Sequence, residues 1–363
     1  MSVQSEIDRI ITAVGNAYSK VSEKGGTVPA SQTVANLATA IDSIPAGGLE
    51  LVANVANGAT VTATLGSKTV TGVSVDGQAR LKIPEEGKWT VSATIGTTVS
   101  DQQEVSVPAT VYFVFPSQEL NDTSWTAIKH VSDANMGANF WSVGDCKEIT
   151  MNGKVSEGLT LSNYSAWVYI IGFNHNAERE GNGIAFQGFK ATKNGTPVCL
   201  TDSHYDAYNG SGTWFTMNNT ETNRGGWQES QMRKNVMPLI KAAFPADLQA
   251  VIKPSTIFTT QGSGNGACTA TEDEVFLLAE YEGLGTHRDA STQEPNYLKQ
   301  YAYYSAGNSK VKYQYNATST AATWWERSPG SENSYGFCYV GNNGYGYNSY
   351  ARYSYGVSPC FKV

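Results

Sequence analysis

The chain predicts a multidomain protein of mixed α+β class, and three observations carry that prediction. Its 363 residues exceed one ordinary domain, so two or three are expected. Apolar residues recur at helical spacing over residues 1–47, alternate with period two over 48–116, and mix both patterns over 117–363. The last stretch, Trp324 to Val363, is written in a different palette from the rest.

Whole-chain composition narrows the function classes. A hydrophobic fraction of 40% with 16% charged residues describes a globular chain with a sizeable core. A net charge of -7 and a pI near 5.2 argue against nucleic acid or an anionic membrane as main partner, since both select clustered Lys and Arg. No run of about 18 apolar residues is present, so membrane insertion is not expected. The opening MSVQSEIDRIITAVGNAYSK lacks a basic region, an apolar stretch and a small-residue cleavage site, so no signal peptide is expected.

The N-terminal segment, 1–47, reads as two short helices. Ile7, Ile10, Ile11, Val14, Tyr18 and Val21 recur at helical spacing, with Ser5 as N-cap, until Gly25-Gly26 stops the pattern. Val34, Leu37, Ile41 and Ile44 repeat it after Ser31, and Pro45-Ala46-Gly47-Gly48 ends it. Neither helix has enough apolar area to stand alone in water, so both must pack on each other, on copies of themselves, or on a larger assembly.

Residues 48–116 predict a β-sandwich of immunoglobulin type. Six alternating segments, Leu49–Val55, Thr60–Leu65, Lys68–Val75, Ala79–Ile83, Trp89–Ile95 and Gln103–Val107, are punctuated by Asn57-Gly58, Asp76-Gly77 and Glu86-Gly87. Val111–Pro116 closes the unit, which shows no catalytic grouping and reads as a spacer.

The long remainder predicts strands at Lys147–Met151 and Ala166–Phe173, a helix over Ser230–Phe244 and an apolar strand at Val275–Tyr281. The five cysteines, Cys146, Cys199, Cys268, Cys338 and Cys360, are widely spaced and odd in number, and read as buried free thiols without zinc spacing. A Cys338–Cys360 bridge stays open, because sequence does not supply the Cα separation.

Between Asn333 and Gly356 stand seven Tyr, five Gly, four Asn and three Ser, with no Lys, Glu, Gln, Met, Trp, Leu or Ile. That is the palette of a paratope: Tyr supplies amphipathic area with few rotamers to freeze, and Asn, Ser and Gly supply adaptable hydrogen bonding. The predicted ligand-binding residues are Tyr335, Phe337, Tyr339, Asn342, Asn343, Tyr345, Tyr347, Asn348, Tyr350, Arg352 and Tyr353. Period two puts Tyr345 with Tyr347, and Tyr353 with Tyr355, so part of the set must point inward. Every residue in the window also falls among the products of an Asn codon, AAC, randomised at its adenines.

The segments FWSVGDCKEITMNGK (140–154), YIIGFNHN (169–176), RGGWQESQMRK (224–234), PADLQAVIKP (245–254), VFLLAEYEG (275–283), YYSAGNSK (303–310) and TWWERSP…YGVSP (323–329, 355–359) together resemble a C-terminal domain of phage and prophage tail proteins in Firmicutes, itself formally of unknown function. The resemblance implies a C-type-lectin-like fold over 117–363. It also implies kinship with variable proteins diversified by retroelements, the variable region covering about 331–356. Trp325, Arg327, Ser328 and Pro329 correspond to the family's Trp-x-Arg-Ser-Pro element, and Tyr355, Gly356, Val357 and Pro359 to its closing strand. Glu326 stands where the family often has Leu, and Ser358 where it often has Arg.

What the resemblance implies is a receptor-binding protein of the virion tail, assembled in the bacterial cytoplasm. Its partners would be a host cell-surface receptor, protein or glycan, and other tail proteins, with a homo-oligomer, a trimer, as the guess. No enzymatic activity, cofactor or metal is expected. A bacterial surface adhesin of the same fold, or a tail-tip glycan hydrolase working through paired carboxylates such as Glu178/Glu180 or Glu272/Asp273/Glu274, are the alternatives. Glu294-Pro295-Asn296 copies a calcium-binding tripeptide of mannose-type lectins, but no companion Trp-Asn-Asp follows, so it reads as a chance tripeptide. His175 reads as a hydrogen-bonded structural histidine.

Overall fold

A computed structural model describes the chain except for residues 1–2, 24–26, 44–48, 56–57, 97, 101, 114–118, 134, 210, 263 and 265. The glycine stops expected at 25–26 and 45–48, Asn57 of the first turn, and the closing residues 114–116 therefore lie outside the described residues. The protein is mixed α+β with several sheets, and divides into two compact units, Met1–Phe115 and Pro116–Val363.

In the first unit, α1 (Val3–Glu23) and α2 (Val34–Asp42) form a helical pair. Ser5, expected as a cap, sits inside the first turn of α1. Tyr18, Val21 and Ala40 are buried between the helices, and the Tyr18 hydroxyl donates 2.7 Å to the Thr33 carbonyl.

Eight strands follow: β1 (Leu49–Asn54), β2 (Thr60–Leu65), β3 (Lys68–Val73), β4 (Gln78–Ile83), β5 (Lys88–Ile95), β6 (Thr98–Val99), β7 (Gln103–Ser106) and β8 (Ala109–Tyr112). They make two sheets, β4-β1-β8 and β3-β2-β5 with β6 and β7 on β5. Leu51, Val61, Leu81, Trp89 and Val91 share one core between them. Alternation in the sequence becomes alternation of burial, strictly so in β4. At the turn before β4, Asp76 and Gly77 both take positive φ, 51° and 80°, the twist that two-residue hairpins need.

The second unit is built on an antiparallel sheet of five strands. These are β9 (Cys146–Ser156), β10 (Leu159–Phe173), β11 (Ile184–Lys190), β15 (Val275–Phe276) and β21 (Cys360–Lys362), in spatial order β15-β21-β11-β10-β9. The last strand of the chain thus lies inside the sheet, with Phe361 stacked on Phe186 at 5.4 Å and edge-on to Trp125 at 6.2 Å. Smaller sheets surround it. β12 (Val198–Cys199) pairs with β16 (Lys312–Gln314) and β17 (Ala317–Ala322), and β13 (Ser255–Thr259) pairs with β14 (Thr269–Asp273). The sheet of interest is β18 (Trp324–Pro329), β19 (Gly336–Val340) and β20 (Gly346–Tyr350).

Two expectations need correction. The apolar run expected as a strand over Val275–Tyr281 is a strand only to Phe276, and Glu280–Leu284 is helical. The Glu282 carboxylate accepts from the Ala279 N–H at 2.9 Å, a helix start written in side-chain chemistry that apolar periodicity does not register. The helix expected over Ser230–Phe244 exists, but Met232–Val236 is a π-turn before the α-helix Met237–Ala243. Pro238 has no N–H to close the ordinary turn there. The cysteines are as the sequence reads them: all five are free and buried, and the Cys338–Cys360 bridge left open there is not formed.

Candidate functional site

The site starts from a strand with no exposed residue. Every position of β18, Trp324 to Pro329, is buried. Trp325 donates its indole N–H to the Phe215 carbonyl at 3.0 Å. Arg327 makes a two-pronged contact with Glu282 at 2.6 and 2.7 Å, and donates to the carbonyls of Leu277 and Phe258. Burial alone would raise the Glu282 carboxyl, but Arg327 outweighs it and holds it below the ordinary value. β18 is the rigid floor on which the hairpin β19–β20 is laid.

The hairpin register pairs Tyr339 with Tyr347, Cys338 with Asn348, and Phe337 with Ser349. Its turn closes through Gly341, whose N–H meets the Tyr345 carbonyl at 2.8 Å, and Gly344 takes φ +82°. On the entry side, the buried Asn223 amide donates to the carbonyls of Gly330, Asn333 and Gly336, each at 2.9 Å. On the exit side, Gly356 returns beneath β18, its N–H to the Thr323 carbonyl and its carbonyl to the Trp325 N–H, both 2.9 Å.

Six of the seven tyrosines in the window form one chain of ring contacts. Tyr335 stacks on Tyr350 (4.7 Å), Tyr353 on Tyr355 (5.6 Å) and Tyr339 on Tyr347 (5.6 Å), while Tyr350 meets Tyr353 (6.4 Å) and Tyr355 meets Tyr339 (5.1 Å) with tilted rings. Trp325 lies under the middle of the chain, 4.8 Å from Tyr355. Tyr355 is the most buried of the six, and burial pushes its hydroxyl up to about 12. Tyr335 and Tyr350 are exposed at one end, and Tyr345, outside the chain, is the most open at 65%. The result is an aromatic ridge that is pinned from below and wet along its edge, the combination that makes Tyr an interface residue.

The structure sorts the predicted residues into three groups. Tyr335, Asn342, Asn343, Tyr345 and Tyr350 are exposed, and Tyr339, Tyr347, Asn348, Arg352 and Tyr353 are half-buried. Phe337 is a correction: it is fully buried in the core beneath the hairpin, because a ring without a hydroxyl gains nothing at a wet rim. Asn348 is tied inward at both ends, its amide N–H to Asp289 at 2.7 Å and its oxygen to Asn333 at 2.9 Å. Asn343 also serves the turn, accepting from the Tyr345 N–H and donating to the Tyr347 hydroxyl. Tyr353 and Tyr355 share a stack, as period two requires.

Sequence reasoning missed two loops. Tyr208 is exposed, packs on Tyr353 at 5.6 Å, and lies under the Arg352 guanidinium at 4.3 Å. Arg288 covers the Tyr347 ring at 4.8 Å. The Tyr208 loop carried a usable signal, since Tyr208-Asn209-Gly210-Ser211-Gly212 repeats the palette of the 333–356 window. Arg288 and Asp289 carried none.

Beneath the ridge lies a group of buried carboxyls. Glu280 accepts from the backbone N–H groups of Arg288, Asp289 and Ala290, which fixes the loop that carries Arg288 and Asp289; burial still raises its carboxyl. Burial pushes Glu294 up to about 8, so it holds a proton near neutrality, and raises Glu326 well above the ordinary carboxylate value. Glu294 accepts 2.7 Å from the Ser328 hydroxyl, while Asn296 of the same tripeptide is exposed; the two do not converge on one ion. Among the described residues, His175, Glu180 and Glu282 have donor atoms within 4.8 Å of one another. Their carboxylates already face Lys362 at 2.9 Å and Arg327, which leaves no negative charge for a divalent cation to neutralise. Burial lowers His175 to about 4, and its ring stacks on Tyr301 at 3.6 Å. The other acidic cluster is engaged too: Asp273 accepts from Trp227 and Arg233, and Glu274 pairs with Lys241.

A family model described as a domain of unknown function (DUF6273) matches residues 207–363. That span takes in the Tyr208 loop, the floor strand and the whole ridge. No curated protein and no solved structure matches the chain.

Proposed function

We propose that this protein is an adhesin, a phage or prophage tail receptor-binding protein that meets a host cell-surface ligand through the tyrosine ridge. In this reading the strands of 49–112 form a spacer of immunoglobulin type, and the second unit is a C-type-lectin-like display domain. The observation that carries the proposal is the ridge itself: six tyrosines joined by ring contacts on a buried floor, flanked by Arg288, Arg352 and exposed asparagines. Stacked rings offer flat apolar faces to sugar rings or apolar side chains, and the hydroxyls and amides satisfy polar edges. Nothing in such a mechanism needs a bond to break. Retroelement diversification of 333–356 fits the same picture, because exposed positions on a rigid floor tolerate substitution.

The test is adsorption of the purified protein to host cells. Tyr345→Ala with Tyr350→Ala removes two exposed rings, leaves the buried floor untouched at a cost of about 1–2 kcal/mol from the ring contacts of Tyr350, and is expected to lower adsorption at least tenfold. Undiminished adsorption by this pair and by Tyr335→Ala with Tyr208→Ala would place the binding surface elsewhere.

A further inference from the structure

We propose that the side chains of Lys362 and Asn176 become joined by an amide bond, which ties β21 covalently to the loop that follows β10. Three buried side chains meet there. The Lys362 Nζ donates to one oxygen of the Glu180 carboxyl at 2.9 Å, and the Asn176 Nδ2 donates to the other at 2.8 Å. Lys362 is 1% exposed, Glu180 4% and Asn176 6%. The orientation of the Asn176 amide is fixed, because the same Nδ2 also donates to the Tyr297 carbonyl at 2.9 Å, and a carbonyl oxygen can only accept.

The backbone brings the three groups together. Asn176 takes φ 47°, a left-handed conformation that Asn tolerates, and starts the short helix Ala177–Glu180. Four positions on, Glu180 therefore stands one turn above it, on the same face. β21 lies between β15 and β11, with Lys362 opposite Ala185, and delivers its amine to that turn. The neighbouring carboxyl, Glu282, is held by Arg327 through both oxygens. Glu180 is thus the group that bridges the amine and the amide.

A buried pair of full charges is costly to keep, and burial raises the Glu180 carboxyl above its ordinary value. Both favour passing one ammonium proton from Lys362 to Glu180, which leaves a neutral, nucleophilic amine. The Nζ lone pair attacks Cγ of Asn176, and an Nζ–Cγ bond forms. Glu180 gives its proton to Nδ2 and takes one from the attacking nitrogen. The Cγ–Nδ2 bond breaks, and its electron pair leaves with ammonia. One amide replaces another, and nothing is oxidised or reduced. Residues 176–362 then form one covalent loop that holds the floor strand and the whole ridge. Closing so long a loop restricts the unfolded chain. The inference goes beyond the adhesin reading and stands or falls independently of it.

Tryptic digestion of the full chain after incubation at neutral pH, read by tandem mass spectrometry, tests it. Cleavage after Lys154, Arg179 and Arg352 is expected to leave residues 155–179 and the peptide starting at Tyr353 as one branched species. That species is lighter by one ammonia than the two peptides together. Lys362→Arg, Asn176→Ala and Glu180→Gln are each expected to give the two peptides separately, since Gln keeps the shape of Glu180 but passes no proton. Two linear peptides from the parent overturn the proposal. Loss of ammonia without a branch also overturns it, because that marks a succinimide at an asparagine. A branch that persists in Glu180→Gln overturns the part given to the carboxyl. The parent digest alone decides whether the bond forms, so a variant that fails to fold leaves the test intact.

Discussion

The Asp289 carboxylate accepts a 2.7 Å hydrogen bond from the Asn348 amide, tying a loop to the outer strand of the hairpin across 59 positions of sequence. Glu280 holds the backbone of that loop from inside, and the neighbouring Arg288 covers Tyr347. The ridge is therefore positioned by residues that contribute no ring to it.

Asp289→Ala is expected to cost about 1 kcal/mol in denaturant unfolding, since it strands one amide at a half-open site. It should weaken adsorption more than that stability loss accounts for, because β20 loses its outer tether. Equal binding by Asp289→Ala and the parent at full folding would show that the tether is dispensable.

The window of 333–356 is expected to split sharply under mutation. Phe337→Ala should cost about 3–5 kcal/mol by leaving a cavity in the core, whereas Tyr345→Ala should stay within about 0.5 kcal/mol. Gly356→Ala belongs with Phe337: a methyl there would meet the Cys199 sulfur and, at 3.0 Å, the Thr323 carbonyl. Unfolding midpoints of the three variants check the ranking, and a mild Phe337→Ala would contradict the buried floor.

Stability of the second unit is expected to fall as pH rises from about 4.5 to about 8. Below 4.5 Glu294 is protonated in folded and unfolded chains alike. Above that, the unfolded chain releases the proton while the folded chain keeps it until about 8, so rising pH favours unfolding. Glu326, also raised by burial, acts in the same direction, whereas Glu282, held low, removes stability only as pH drops below its ordinary range. Glu326→Leu should gain on the order of 2 kcal/mol at pH 7 and flatten the pH profile. A parent profile flat from pH 5 to 8 would mean that the buried carboxyls are paired or hydrated in solution.

Period-two and period-3.6 patterns, turn dipeptides and the odd palette of 333–356 were determined by the sequence alone. They rest on local rules, in which a residue's neighbours a few positions away decide its backbone. Tertiary structure decided which aromatic faces out. Phe337 and Tyr339 stand two positions apart on one strand, yet Phe337 joins the core cluster while Tyr339 stacks on Tyr347 and meets Tyr355 in the ridge. It also decided that Tyr208, Arg288 and Asp289 join the surface, and that Glu326 is buried. Such partners meet only when distant strands and loops pack, and no local pattern records that encounter.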